Sequence, residues 1–329
     1  MKQVKILGLG NFGYAILKHL DRKNKGEYEL TGYARRQELV DHLSLHRKHP
    51  LYPHATCFSK NVLITDNLTE FLKDTDYLVL AVSSSAVYEV LNNIKPFLTK
   101  RLTIINTTKA LHQETGKRFS QITSEVLEGK KISYALITGG TLARDMVDGY
   151  PLGVNIASGD KKVLSELTKL FYDEKLAIYP TTDLVSVEYA CAFKNIISLF
   201  AGIIQGIGMP VGSESYIVTR AIWDVEKLVV NELGGKTETF SLWNPCWGGD
   251  IWLSCVGKTR NKEFGYLLGK GHSLEETLKL MENKTVEGVS TVKMIHKITD
   301  LKKYPFLFLL NKFFRGQTTF SELEKLIKG

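Results

Sequence analysis

Lys194 stands inside an apolar run from Ala190 to Gly208, and a charge in such a place needs a physical reason. An unpaired ammonium taken out of water is expensive, so it either neutralises or keeps anionic company. A desolvated lysine beside other cations is also how proteins obtain an amine that exchanges protons near neutral pH. Its neighbour Asn195 adds an amide to the same run. On position alone, the simpler reading is a lysine whose stem lies on an apolar face while its head reaches water; the rest of the chain tips the balance the other way.

A second cluster lies at the amino end. Gly8-Leu9-Gly10-Asn11-Phe12-Gly13 follows an apolar strand directly and opens a helix, the context in which such a glycine run seats a dinucleotide pyrophosphate on a helix amino terminus. Gly8 would allow the tight turn, Gly10 a close backbone approach to phosphate, and Gly13 close packing of helix on strand. A glycine-rich turn without a ligand is the competing reading. About 20 residues further on, NAD-binding chains place a carboxylate for the ribose 2′-hydroxyl. This chain has Arg35 and Arg36 there, whose charge and forked donors suit a 2′-phosphate. NADP(H) is therefore expected in preference to NAD(H), with two solvated arginines as the alternative. Ser83-Ser84-Ser85 falls on the same rim, where serines serve equally as helix caps.

These groups need a frame. Short apolar strands at Val4–Gly8, Tyr28–Ala34, Tyr77–Val82, Thr103–Thr107 and Tyr134–Thr138 alternate with helical patterns over Asn11–Leu20 and Ser85–Ile94. That alternation predicts an α/β Rossmann-type, doubly wound, mostly parallel sheet with right-handed crossovers. Gly153–Ala157 and Leu176–Tyr179 extend it. After Asp183 the strand signals stop, and periods around Val187–Ile207, Ser213–Asn231, Ser273–Met281 and Thr319–Ile327 predict an all-α second domain. With 329 residues two domains are expected, residues 1–184 for the dinucleotide and 185–329 for substrate and catalysis.

Composition narrows the classes. An apolar fraction of 43% with 24% charged residues describes a globular chain. A formal net charge of +8 suits anionic small ligands, but the basic residues are scattered and form no nucleic-acid motif. The four cysteines lack a CxxC pair, so neither a metal site nor a disulfide framework is expected and a reducing, cytoplasmic setting is. The amino end enters a strand at once, leaving no room for a signal peptide. No stretch of roughly 18 uninterrupted apolar residues supports an integral membrane segment. The greasy tail Tyr304–Phe314 reads as a helix docked on the second domain, with a membrane-surface contact as its alternative.

Taken in order, the motifs resemble those of the bacterial-type NAD(P)-dependent glycerol-3-phosphate dehydrogenases across nearly the whole chain. Thr108-Lys109-Ala110 is similar to a lysine-glycine after the fifth strand, and Thr138-Gly139-Gly140-Thr141-Leu142-Ala143 to Ser-Gly-Pro-(Ser/Thr)-Phe-Ala. Phe193-Lys194-Asn195 is similar to Leu-Lys-Asn, and Val218-Thr219-Arg220 to a Thr-Arg-Gly-like turn of helix. Gly248-Gly249-Asp250 with Cys255 is similar to Gly-Asp-Leu…Thr-Cys, Thr259-Arg260-Asn261 to Ser-Arg-Asn, and Val286-Glu287-Gly288 to Val-Glu-Gly. Any one of these is unspecific; the ordered set is not.

The resemblance implies a role for each matched residue. Lys194 becomes the proton-transferring lysine, Lys109 a second cation that helps depress its proton affinity, and Asp250 the carboxylate that orients the lysine or a substrate hydroxyl. Arg260 would grip phosphate, with Thr259, Asn195 and Asn261 supplying neutral hydrogen bonds. Gly139, Thr141 and Ala143 would line substrate and cofactor, and Val286, Glu287, Lys109 and Arg260 would also touch the cofactor side. Four departures point to a divergent member: Gly140 and Ser83 replace prolines, Ala110 replaces a glycine, and Trp243–Trp247 replace a glycine-rich approach. The expected reaction is NADPH-dependent, reversible reduction of dihydroxyacetone phosphate to sn-glycerol 3-phosphate, supplying phospholipid backbones. A 3-hydroxyacid or phosphogluconate-type dehydrogenase and a non-catalytic NADPH-binding sensor are the alternatives. The sequence does not decide between a monomer and a homodimer joined through the helical domain.

Overall fold

The computed structural model describes residues 1–282, 284 and 286–328. The chain divides into two compact units. The first comprises Met1–Thr108 and Phe119–Leu184, the second Lys109–Arg118 and Val185–Gly329. The segment Lys109–Arg118, which the sequence reading assigned to the first domain, thus groups with the second unit.

The first unit is built on eight strands: β1 Lys2–Leu7, β2 Tyr28–Tyr33, β3 Leu63–Thr65, β4 Tyr77–Leu80, β5 Leu102–Asn106, β6 Ile132–Thr138, β7 Leu152–Ala157 and β8 Leu176–Thr181. Their spatial order is β3-β2-β1-β4-β5-β6-β7-β8. Every residue of β4 and β5 is buried, as expected for central parallel strands covered on both faces. Helices α1 Asn11–Lys23, α2 Gln37–His46, α3 Leu68–Leu72, α4 Val87–Ile94, α5 Phe119–Val126, α6 Ala143–Asp148 and α7 Lys161–Phe171 fill the crossovers. The sheet is parallel except where β7 runs against β6. The cause is local: α6 is too short to carry the chain back along the sheet and ends at Gly149, whose φ of 76° turns it. β7 therefore starts at the end where β6 stops. β3 escaped the sequence reading because it is a three-residue edge strand with Leu63 exposed.

The second unit is helical. Its helices are α8 Leu184–Ile207, α9 Val211–Glu232, α10 Asp250–Val256, α11 Arg260–Gly269, α12 Leu274–Leu280, α13 Glu287–Met294, α14 Pro305–Phe314 and α15 Phe320–Lys328. By length and composition α8 is long and apolar enough to cross a membrane, but 89% of that stretch is buried in the protein. A helix apolar on all sides is what a core helix looks like, and Phe193, Ile196, Phe200 and Ile203 sit in the core of this unit. The greasy tail forms α14 and buries Leu307, Leu310 and Phe314 in the same core.

Two glycine pairs set the contact between α8 and α11. A Cβ on Gly202 would strike the carbonyl of Lys262, and one on Gly206 that of Tyr266; from the other side Gly265 and Gly269 meet the carbonyls of Leu199 and Ile203. The helices cross backbone to backbone, which only glycine permits. Their spacing, Gly202-x-x-x-Gly206 against Gly265-x-x-x-Gly269, repeats on one face of each helix. Gly265→Ala should cost about 1–3 kcal/mol of stability as an overpacked contact and push the amino end of α11 away from α8. A lower Tm with a raised KM for substrate checks this; an unchanged Tm would contradict it.

Candidate active site

In the first unit, the loop after β1 behaves as its glycines predict. Gly8 has φ of 102°, and a Cβ there would lie 2.6 Å from the Ala81 carbonyl. A Cβ on Gly13 would collide with the Gly8 carbonyl, so this glycine allows α1 to pack on the strand end. A Cβ on Gly10 meets nothing within 4 Å. Gly10 is also the N-cap of α1 and offers no side-chain cap, so amides of the first turn are left for a ligand. Beside this turn is a cavity of about 320 Å³ lined by Gly8, Gly10, Arg35, Arg36, Ser83 and Glu89 among others. These residues fit the pyrophosphate and ribose ends of a dinucleotide. Asn11 is exposed and Phe12 half-buried at the start of α1. Ser83 makes no helix-cap bond; its Oγ lies 3.2 Å from that of Ser85. Glu89 on this cavity went unnoticed in the sequence, where it reads as a solvated helix residue.

Gly139, Thr141 and Ala143 also belong to the first unit, and they do not line that cavity. Gly139 has a packing reason: a Cβ would lie 2.6 Å from the Gly153 carbonyl on β7. The buried Thr141 bonds the carbonyl of Gly139 through its amide at 2.8 Å, and Ala143 opens α6.

The second unit brings together three of the ionisable residues singled out in the sequence: Lys109, Lys194 and Asp250. Lys194 Nζ donates to Asp250 Oδ1 at 3.0 Å and to Ser254 Oγ at 3.0 Å. Lys109 Nζ donates to Asp250 Oδ2 at 2.8 Å. The carboxylate is fully buried, while the lysine side chains keep 12% and 19% of their exposure. One carboxylate stands between the two cations and takes one ammonium on each oxygen. Burial opposes ionisation of Asp250, but Lys109 and Lys194 outweigh it and hold its pKa below the ordinary 3.8. Two ammonium groups around one carboxylate leave the trio with a net positive charge.

Asp250 owes its position to a feature the sequence does not spell out. Pro245–Gly249 forms a π-type turn running directly into α10, a wider turn frequent at functional sites. Gly248 is required there, because a Cβ would collide with the Leu242 carbonyl. Trp247 is buried against Phe240 with ring centroids 4.9 Å apart. Trp243 is 71% exposed.

Around the trio, Asn195 Nδ2 donates to the Lys109 carbonyl at 3.1 Å and to Glu287 Oε2 at 3.4 Å. Its Oδ1 accepts from Asn261 Nδ2 at 2.9 Å, and Asn261 Oδ1 accepts from the Gly288 amide at 2.9 Å. Part of the hydrogen-bonding capacity assigned to substrate is therefore used to tie α8, α11 and α13 together. Thr259 caps α11 and meets Ser198 Oγ at 2.9 Å, and Ser198 donates to the Ser254 carbonyl at 2.8 Å. Ser198 and Ser254 were missed in the sequence; Ser198 lies four residues beyond Lys194, on the same helix face. Arg260 is exposed and makes no side-chain hydrogen bond or ion pair among the described residues. Val286 is buried at the N-cap of α13. Cys191, one turn before Lys194, is fully buried, and burial drives its thiol pKa upward, so thiolate chemistry has no place here.

A Rossmann sheet with an open, glycine-lined helix amino terminus, followed by a helical unit with a lysine–carboxylate–lysine centre, defines a nicotinamide-dependent dehydrogenase. Family profiles described as NAD-dependent glycerol-3-phosphate dehydrogenase N-terminus and C-terminus match residues 3–164 and 183–323. A glycerol-3-phosphate dehydrogenase (NAD(P)+) of Syntrophomonas wolfei is 31% identical over 300 residues, covering 91% of this chain and 85% of the relative. The Moorella thermoacetica protein of the same name is 33% identical over 291 residues, covering 88% and 84%. Among solved structures, glycerol-3-phosphate dehydrogenase from Coxiella burnetii has the same fold, with a TM-score of 0.85 at 23% identity, covering 100% and 99%. That from Plasmodium falciparum gives 0.88 at 24%, covering 98% and 94%. The chain belongs to the NAD-dependent glycerol-3-phosphate dehydrogenase family and is an NAD(P)-dependent oxidoreductase.

Proposed function

We propose that the protein reduces dihydroxyacetone phosphate to sn-glycerol 3-phosphate in the cytoplasm, with NADPH preferred and NADH accepted, and so supplies glycerol backbones to phospholipid synthesis. The observation that carries this reading is Asp250 held between Lys109 and Lys194. A bound dihydronicotinamide supplies hydride to C2 of the ketone. Lys194 stabilises the negative charge that develops on the C2 oxygen and gives it a proton, becoming a neutral amine that water re-protonates. Lys109 keeps a second positive charge at the site, and Asp250 holds both ammonium groups in position. Arg260, with no acidic partner among the described residues, has a guanidinium fork suited to the phosphate. Asn195 and Asn261, fixed by their mutual bond, leave the remaining donors and lone pairs oriented for substrate hydroxyls.

NADPH preference rests on Arg35 and Arg36 lining the first unit's cavity, since both are positioned by the chain between β2 and α2. The decisive assay follows cofactor absorbance with dihydroxyacetone phosphate and each dinucleotide. An Arg35→Ala/Arg36→Ala variant should lose about 10-fold or more in kcat/KM with NADPH, the loss of a charge-assisted pair, and change little with NADH. Equal losses with both cofactors would reduce these arginines to surface residues, and no oxidation of either would remove the proposed reaction.

A further inference from the structure

The segment Lys109–Arg118 groups with the helical unit although the chain on both sides of it belongs to the sheet unit. Its first residue supplies a cation to Asp250. Its last residue makes a second buried ion pair: Arg118 Nη1 lies 2.9 Å from Glu188 Oε2, with side-chain exposures of 16% and 4%. The Arg118 guanidinium also sits 5.7 Å from the ring centre of Tyr189. Glu188 and Asn195 are seven residues apart on α8, two turns along one face and about 10 Å distant. Asn195 holds the start of the segment through the Lys109 carbonyl, and Glu188 holds its end.

Between these anchors the segment is folded back on itself. His112 N donates to the Lys117 carbonyl at 2.9 Å and Gly116 N to the His112 carbonyl at 2.8 Å. Leu111 is buried in the core of the helical unit, and Lys297 Nζ caps the Glu114 carbonyl at 2.8 Å. A guanidinium and a carboxylate this deeply buried cost desolvation that good geometry has to offset, and such pairs fix register better than they stabilise.

We infer that Arg118 and Glu188 are positioning residues: their ion pair sets the register of this strap on α8 and thereby holds the Lys109 ammonium against Asp250. The inference rests on the reading of Lys109 as an active-site cation. Neither residue touches the reacting atoms, so the effect reaches chemistry only through Lys109.

The test is steady-state kinetics of the full-length protein with dihydroxyacetone phosphate and NADPH or NADH. In E188Q and R118A, kcat for the triose should fall by about 10²-fold, the cost of an ångström-scale misplacement. KM for the nicotinamide cofactor should stay within about twofold, since its glycine loop lies in the other unit. R118K keeps the charge and a donor toward Glu188, and should recover most of the lost turnover. The inference is overturned if E188Q turns over like the wild type, if cofactor KM rises as steeply as kcat falls, or if R118K is as slow as R118A. An inactive wild type would instead overturn the proposed reaction, and this inference with it.

Discussion

Lys194→Ala should lose turnover of dihydroxyacetone phosphate by about 10³-fold or more while binding NADPH and NADH almost as the wild type does. A positioned general acid contributes roughly 10²–10⁴-fold, and a preorganised charge at a developing oxyanion a comparable factor. Lys194 unites both roles in one ammonium, held at 3.0 Å from both Asp250 and Ser254. The variant should fold, because Asp250 keeps Lys109 at 2.8 Å and is not left unpaired. Its dinucleotide loop belongs to the other compact unit, so the cofactor Kd, read by fluorescence quenching, should move by less than about twofold. Lys194→Arg should not rescue turnover, since a guanidinium keeps its proton at any working pH. Residual activity above a tenth of wild type in the alanine variant would take the proton-transfer role away from this residue.

The parts of this enzyme that could be read in the sequence are those governed by short-range rules. Gly8 and Gly13 announced a turn and a close packing because only glycine tolerates the φ and the contact found there. Strands such as β4 were visible as wholly apolar runs. The glycine pairs that bring α8 against α11 were equally visible at four-residue spacing, and passed unread because glycine within a helix counts against it by propensity. What stayed hidden is non-local. Nothing around Lys109 says that its segment leaves the sheet unit to pack with α8, because its anchors, Glu188, Asn195 and Asp250, lie 70 residues or more further along the chain. The π-type turn before Asp250 has no residue code beyond Gly248. The antiparallel β7 follows from a helix being too short, a length that capping signals fix poorly.

Asp250→Asn is expected to have the second largest effect, and it acts on stability and turnover together. The substitution leaves Lys109 and Lys194 facing an uncharged amide in a site where the wild-type carboxylate is fully buried. Breaking a buried ion pair by removing one partner costs about 3–5 kcal/mol, and misplacing both ammonium groups should lower kcat by about 10²-fold. The pH dependence has a definite sign. Burial alone would raise the Asp250 pKa, yet the two lysines bring it below its ordinary 3.8. In the window between the folded and the unfolded value the unfolded chain binds the extra proton, so stability falls as pH drops. The contribution of Asp250 is therefore fully present above about pH 5, more than one unit over the unfolded value, and disappears through and below the ordinary carboxylate range. The Tm difference between wild type and Asp250→Asn should stay constant from pH 8 down to about 5 and narrow below about 4. A gap that already closes near neutral pH would mean that the carboxylate is protonated there, and the two lysines would lose the counter-charge on which the proposed chemistry depends.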